Sequence, residues 1–163
     1  MNLYNEEELK RIDDAKEYNK KMEEFFLSKR EEWNQLIEPL FGVLKIQMNT
    51  TSSHKVLEAQ ALALTYRQQI NEQVNYFLNK RSKETVKYKK IKQDKFVFYA
   101  TGFGIKTNLK EKGMLIDAHL SENVRTLELI ETYIDFLRDT SKNLESFSYA
   151  VKNMIELLNY LGS

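Results

Sequence analysis

Between positions 80 and 95 the chain concentrates Lys80, Arg81, Lys83, Lys87, Lys89, Lys90, Lys92 and Lys95, and Tyr88, Phe96, Phe98, Tyr99 and Phe103 are interleaved with them or follow at once. Cations at this density neutralise phosphates, and aromatic faces stack on unpaired bases, so the chemistry on offer is capture of a single-stranded nucleic acid. Lysine dominates, and the Arg, Asn and Gln side chains that read base edges are scarce here, which favours backbone contact without sequence readout. The candidate contacts are Lys87, Lys89, Lys90, Lys92, Lys95, Phe98, Tyr99 and Lys106.

Other chemistries find little support. His54 and His119 are the only histidines and stand far apart with no partner at metal-ligand spacing, so each is expected to be exposed or to cap a helix, and no metal or cofactor is expected. Asp13 and Asp14 fall in a charged run with no nucleophile or oxyanion donor beside them. Gly102, Phe103, Gly104, Ile105, Lys106 and Thr107 lack the spacing and Gly-Lys-Thr order of a phosphate-binding loop. No catalytic residue is assigned, and the expectation is a protein that is not an enzyme.

The net charge of +1 conceals segregation. Residues 1–39 carry 7 basic and 11 acidic residues, residues 80–113 carry 11 and 3, and residues 114–163 carry 4 and 8. A polyanion is drawn to the middle of the chain and repelled by both flanks.

The elements that must position this segment are expected to be helices. One proline and five glycines in 163 residues leave few chain breakers, and the 42% hydrophobic, 30% charged composition suits a soluble fold. Asn5 followed by Glu8 reads as a capping box, opening a helix from about Glu6 to Glu38 that Pro39 interrupts or kinks. The polar cluster Asn49 to Ser53 reads as a turn, and Leu57, Ala61, Leu64, Ile70, Val74 and Phe77 mark the apolar face of a second helix from near His54. The β-branched and aromatic run Phe96 to Thr101, ending at Gly102 and Gly104, predicts a short strand or loop over 96–104.

After Gly113, Leu120, Val124, Leu127, Ile130, Ile134, Leu137, Leu144, Phe147, Val151, Met154, Leu158 and Leu161 recur every three or four residues, skipping only Ser141. A helix carrying that stripe would be roughly 60 Å long, more than a compact monomer of this size buries, so Val124, Leu127, Ile130, Ile134, Leu137, Leu144, Val151 and Ile155 are expected to form a coiled-coil-like homo-oligomeric seam. A hairpin broken at Asp139, Thr140 and Ser141 is the alternative. The chain divides into an amino-terminal helical region, 1–79, and a basic segment with the long helix, 80–163, within one structural domain. With no cysteine, no long apolar window and Glu6, Glu7 and Glu8 where a signal peptide would be basic then apolar, the cytoplasm is the expected compartment, with no membrane contact.

The second half of the chain resembles the phage recombination mediators of the UvsY type. Lys89, Lys90, Ile91, Lys92, Gln93, Asp94 and Lys95, running to Phe98, Tyr99 and Gly102, are similar to that family's lysine-rich run, aromatic pair and glycine. Asp117, Leu120, Phe136, Leu137, Leu144, Val151, Lys152, Asn153, Ile155, Glu156 and Tyr160 resemble its terminal segment. The spacing from Tyr99 to Gly102 is one residue longer than is usual there, Phe147 and Ser148 replace an Arg-Gly pair, and the first eighty residues match poorly. The resemblance implies a ring-like homo-oligomer without enzymatic activity, acting in the host cell cytoplasm. It would bind single-stranded DNA and help a RecA-like recombinase displace single-strand binding protein, with Lys90, Lys92 and Lys95 beside the aromatic pair. A helical structural or interaction protein that binds no nucleic acid is the competing reading.

Overall fold

The computed structural model describes residues 5–45, 53–101 and 109–162, which form three helices, α1 (Glu6–Lys45), α2 (Ser53–Thr101) and α3 (Leu109–Gly162). The mainly α expectation holds. The strand does not: Phe96 to Thr101 complete the last turns of α2, and residues 102–104 lie outside the described residues. β-propensity reflects fit to a half-buried pleated surface, and here the neighbours are helices, with Tyr99 packing inward against Ile116 and Leu120.

Asn5 caps α1, its Oδ1 accepting the Glu8 N–H at 2.8 Å, and three glutamates in the first turn favour the positive end of the helix dipole. Pro39 does not end α1, which continues to Lys45. A proline in a helix interior costs about 3 kcal/mol or more. Packing on both sides offsets that cost, since Ile37 and Leu40 are buried and Phe41 meets the Phe147 ring edge-on at 5.5 Å.

The turn cluster Asn49 to Ser52 lies outside the described residues, and α2 opens at Ser53, one residue before the expected start. The helix has the opposite phase at its amino-terminal end. Leu57, Ala61 and Leu64 face outward, and Val56, Ala59, Ala63, Ile70 and Phe77 are buried. α3 begins at Leu109, ahead of Gly113, and runs unbroken through Asp139, Thr140 and Ser141, so the hairpin is excluded. Thr140 Oγ1 donates to Phe136 O at 2.8 Å and Ser141 Oγ donates to Asn71 Oδ1 at 3.2 Å, which explains why a polar residue sits on the buried stripe.

The contacts group into two units, and each helix contributes to both. Unit 1 comprises residues 1–25 and 77–132; unit 2 comprises 26–76 and 133–163. Positions 79 and 80, where the sequence reading placed a division, lie inside continuous α2.

Unit 2 is built on rings. Phe26 stacks on Tyr133 at 4.4 Å, Trp33 meets Tyr66 edge-on at 6.0 Å, and Arg30 covers the Phe136 ring at 5.2 Å. Gln73 Oε1 accepts from Tyr133 Oη at 3.2 Å and Trp33 Nε1 at 3.4 Å. Burial pushes the Tyr133 phenol up to about 12 and so keeps it a donor. Ile134, Leu137, Leu144 and Val151 are fully buried.

Unit 1 has a small apolar cluster of Tyr99, Ile116 and Leu120, flanked by Tyr88, Ile91 and Leu115. Met22, Phe77, Leu129 and Ile130 are also buried in this unit, beside a set of polar contacts. Buried Asn19 donates to Glu122 O at 2.8 Å, and the Thr126 hydroxyl lies 2.6 Å from Asn19 Oδ1, tying α1 to α3.

Candidate nucleic-acid interface

The basic segment is the carboxy-terminal half of α2, so its side chains follow a helical period. The inward face takes Phe77, Tyr88, Ile91, Lys95 and Tyr99, and the outward face takes Lys83, Val86, Lys87, Lys90, Gln93, Asp94 and Val97, with Lys89 on its flank. Among the described residues, none of Lys83, Lys87, Lys89, Lys90 and Lys92 is ion-paired, and all five are exposed. Lys92 lies over the Tyr88 ring, its Nζ 5.7 Å from the centroid. One to two turns beyond, Phe96 (52% exposed), Val97 and Phe98 (45%) occupy three successive positions, about 100° apart, and so encircle most of the outer side of the helix end.

Basic residues at the edges of this surface are engaged within unit 1. Arg81 pairs with Glu131, Lys80 Nζ lies 5.8 Å from the Tyr18 ring centroid, and Lys95 pairs with Glu8 while sitting 5.7 Å from the Phe98 ring.

The structure therefore sorts the sequence-assigned contacts. Lys87, Lys89, Lys90 and Lys92 are all exposed; by the helical period of about 100° per residue Lys87 lies in line with Phe98 and Lys90 nearby, whereas Lys89 and Lys92 fall on the flank of Phe96. Tyr99 is not a stacking platform: at 9% exposure its ring is in the core and its hydroxyl lies 2.5 Å from His119 Nε2. Lys95 is half-buried, and desolvation lowers its pKa. Lys106 lies outside the described residues.

His119, expected at the surface or as a cap, is instead 2% exposed. Its Nδ1 stands 3.3 Å from Glu8 Oε1, and its backbone oxygen accepts from Arg11 at 2.9 Å. Burial, then the positive charges of Lys95 and Arg11, hold its pKa below the ordinary histidine value. With the proton on Nδ1, Nε2 accepts from the Tyr99 hydroxyl and the N–H lies on the carboxylate side. Hydroxyl, imidazole and carboxylate stand in the order of a catalytic relay, with the hydroxyl enclosed in the core.

The expected oligomer seam divides as well. Ile130, Ile134, Leu137, Leu144 and Val151 are buried within the chain, Leu127 and Ile155 are half-buried, and Val124 is exposed. The stripe needs no second copy to cover it.

Phe96, named among the interleaved aromatics but not among the candidate contacts, is exposed like Phe98. Sequence reasoning missed the partner of Glu8, for which it held no signal. Among the described residues, no group of three or more His, Cys, Asp or Glu could hold a metal, and no helix is long and apolar enough to cross a membrane. No family model, curated protein or solved structure matches the chain.

Proposed function

We propose that the chain is a single-stranded DNA binding recombination mediator of a phage, helping a RecA-like recombinase to replace single-strand binding protein. The observation that carries the reading is the exposed surface of α2, where Lys83, Lys87 and Lys90 line the side that leads to Phe98 and Lys89 and Lys92 the flank that leads to Phe96. Cations spaced along a helix meet successive phosphates, and rings at its end offer a platform to a base that only an unpaired strand can present. The family resemblance in the same segment supports it.

The reading includes a ring-like homo-oligomer, in which weak patches on each copy act together through avidity. With the stripe of α3 covered internally, such an assembly would draw on exposed Val124, Leu157, Tyr160 and Leu161. Those same exposed residues favour the competing reading of an interaction protein without nucleic-acid binding.

Fluorescence anisotropy with single-stranded and duplex oligonucleotides across a salt series, with light scattering for mass, tests the proposal. If all five lysines meet phosphates, log affinity for the single strand falls against log salt with a slope of about −3.5 per subunit. Binding without salt dependence, or preference for the duplex, overturns it.

A further inference from the structure

The amino-terminal cap of α1 is half of a capping box. Asn5 Oδ1 accepts the Glu8 N–H, but the reciprocal bond from the Asn5 N–H to the Glu8 carboxylate is not made. Glu8 Oε1 turns to Lys95, to His119 Nδ1 at 3.3 Å and to Arg11 at 4.0 Å. The carboxylate thus sits where three nitrogen groups converge, on the wall of an open cleft of about 470 Å³ that Asn5, Arg11, Lys95 and Phe98 also line. Lys95 stands about one turn beyond Lys92, its Nζ 5.7 Å from the centroid of the exposed Phe98 ring, next along the helix after the exposed lysines.

We propose that Glu8 is a displaceable stand-in for a backbone phosphate: a bound single strand takes Lys95 from it, and the released carboxylate closes on the Asn5 N–H to complete the capping box. The inference rests on the single-strand reading above and deepens it by adding a contact held in reserve. Two features make the exchange feasible. A carboxylate and a phosphate oxygen are alike as charged acceptors for an ammonium group. The released Glu8 keeps a hydrogen-bond donor and remains near the positive end of the α1 dipole, so no charge is left buried and unpaired. Glu7 and Asp94 line the same cleft and repel an arriving phosphate, which sets the exchange after the outer lysines have engaged.

The experiment is anisotropy with an oligothymidylate, in salt series, on the full chain and three variants. Glu8→Gln should bind about three- to tenfold more tightly than wild type, since the competitor is gone, whereas Glu7→Gln, which leaves Lys95 paired, should gain less. Lys95→Ala should weaken binding and flatten the salt slope by about 0.7. Glu8→Gln combined with Lys95→Ala should show none of the gain. A readout on the unaltered protein is the His119 ring resonances, which should shift on adding oligothymidylate as Glu8 leaves Nδ1. A Glu8→Gln gain no larger than that of Glu7→Gln, a gain that survives loss of Lys95, or unmoved His119 resonances in a strand-bound protein overturns the stand-in and leaves the single-strand reading intact. Failure of both wild type and Glu8→Gln to bind overturns both.

Discussion

The two units solve the same packing problem with different chemistry. Unit 2 closes on stacked and edge-on rings, with neutral hydrogen bonds from Trp33 and Tyr133 to a single amide oxygen. Unit 1 buries Met22, Phe77, Leu129 and Ile130 and the cluster around Tyr99, and adds a polar group in which Glu8, Arg11, Lys95 and His119 meet beside Tyr99. Apolar contacts are indifferent to salt, protons and anions. Half-buried charges are sensitive to all three.

The largest effect that separates the units is expected from Ile134→Asp, which sets a carboxylate at a fully buried position among the rings of unit 2. An unpaired buried charge is among the few changes that cost more than about 4 kcal/mol. Circular dichroism in a denaturant series should show the helical signal lost at far lower denaturant than in wild type. Next in size, Lys87→Ala, Lys89→Ala and Lys90→Ala together should flatten the salt slope of strand binding by about 2 while leaving the denaturation midpoint unchanged, because these side chains are exposed.

A smaller pair of changes tests neighbouring aromatics. Phe98→Ala should weaken binding by about 1 to 3 kcal/mol with the salt slope preserved, the signature of lost stacking. Tyr99→Phe should leave binding as it is and lower stability by about 1 kcal/mol, since it removes only the hydroxyl beside His119. Reversal of these two assignments would put Tyr99 back at the interface.

The smallest effect is in pH, and it has opposite wings in the two units. His119 titrates below its ordinary 6.5 in the folded chain, so its contribution is complete above 6.5 and is lost as pH falls through the lowered value. Tyr133 is raised from 10.0 to about 12, so its contribution is complete below 10 and is lost as pH rises towards 12. Amide protection, corrected for the intrinsic exchange rate at each pH, should therefore fall in residues 109–132 on the acid side and in residues 133–162 on the alkaline side, and His119→Gln should remove the first response alone.

Much of the helical architecture was legible because α3 carries a single apolar stripe, which fixes the face that must be covered. α2 was harder at its start, where Leu57, Ala61 and Leu64 offer an apolar phase as plausible as that of Val56, Ala59 and Ala63. Only the surrounding helices choose between them. Phe96 to Thr101 misled because their β-propensity is a preference for an environment the chain does not provide. The exposed lysines of α2 were readable from charge alone, whereas the engagement of Lys95 with Glu8 joins positions far apart in sequence and leaves no local trace. Burial of the seam residues was hidden for a related reason, since periodicity shows that a face is covered and not by which chain.

Trp33 is the only tryptophan in the chain and lies buried in unit 2, its indole N–H held on Gln73. The molecule therefore carries an intrinsic optical reporter of one unit, with emission set by the ring-lined interior around it. Excitation selective for indole follows unit 2 without labelling, and far-ultraviolet ellipticity follows the helices of both. A melt in which ellipticity falls before the indole emission shifts to the red would mark unit 1 opening first, so the two signals measure the cooperativity of the chain directly.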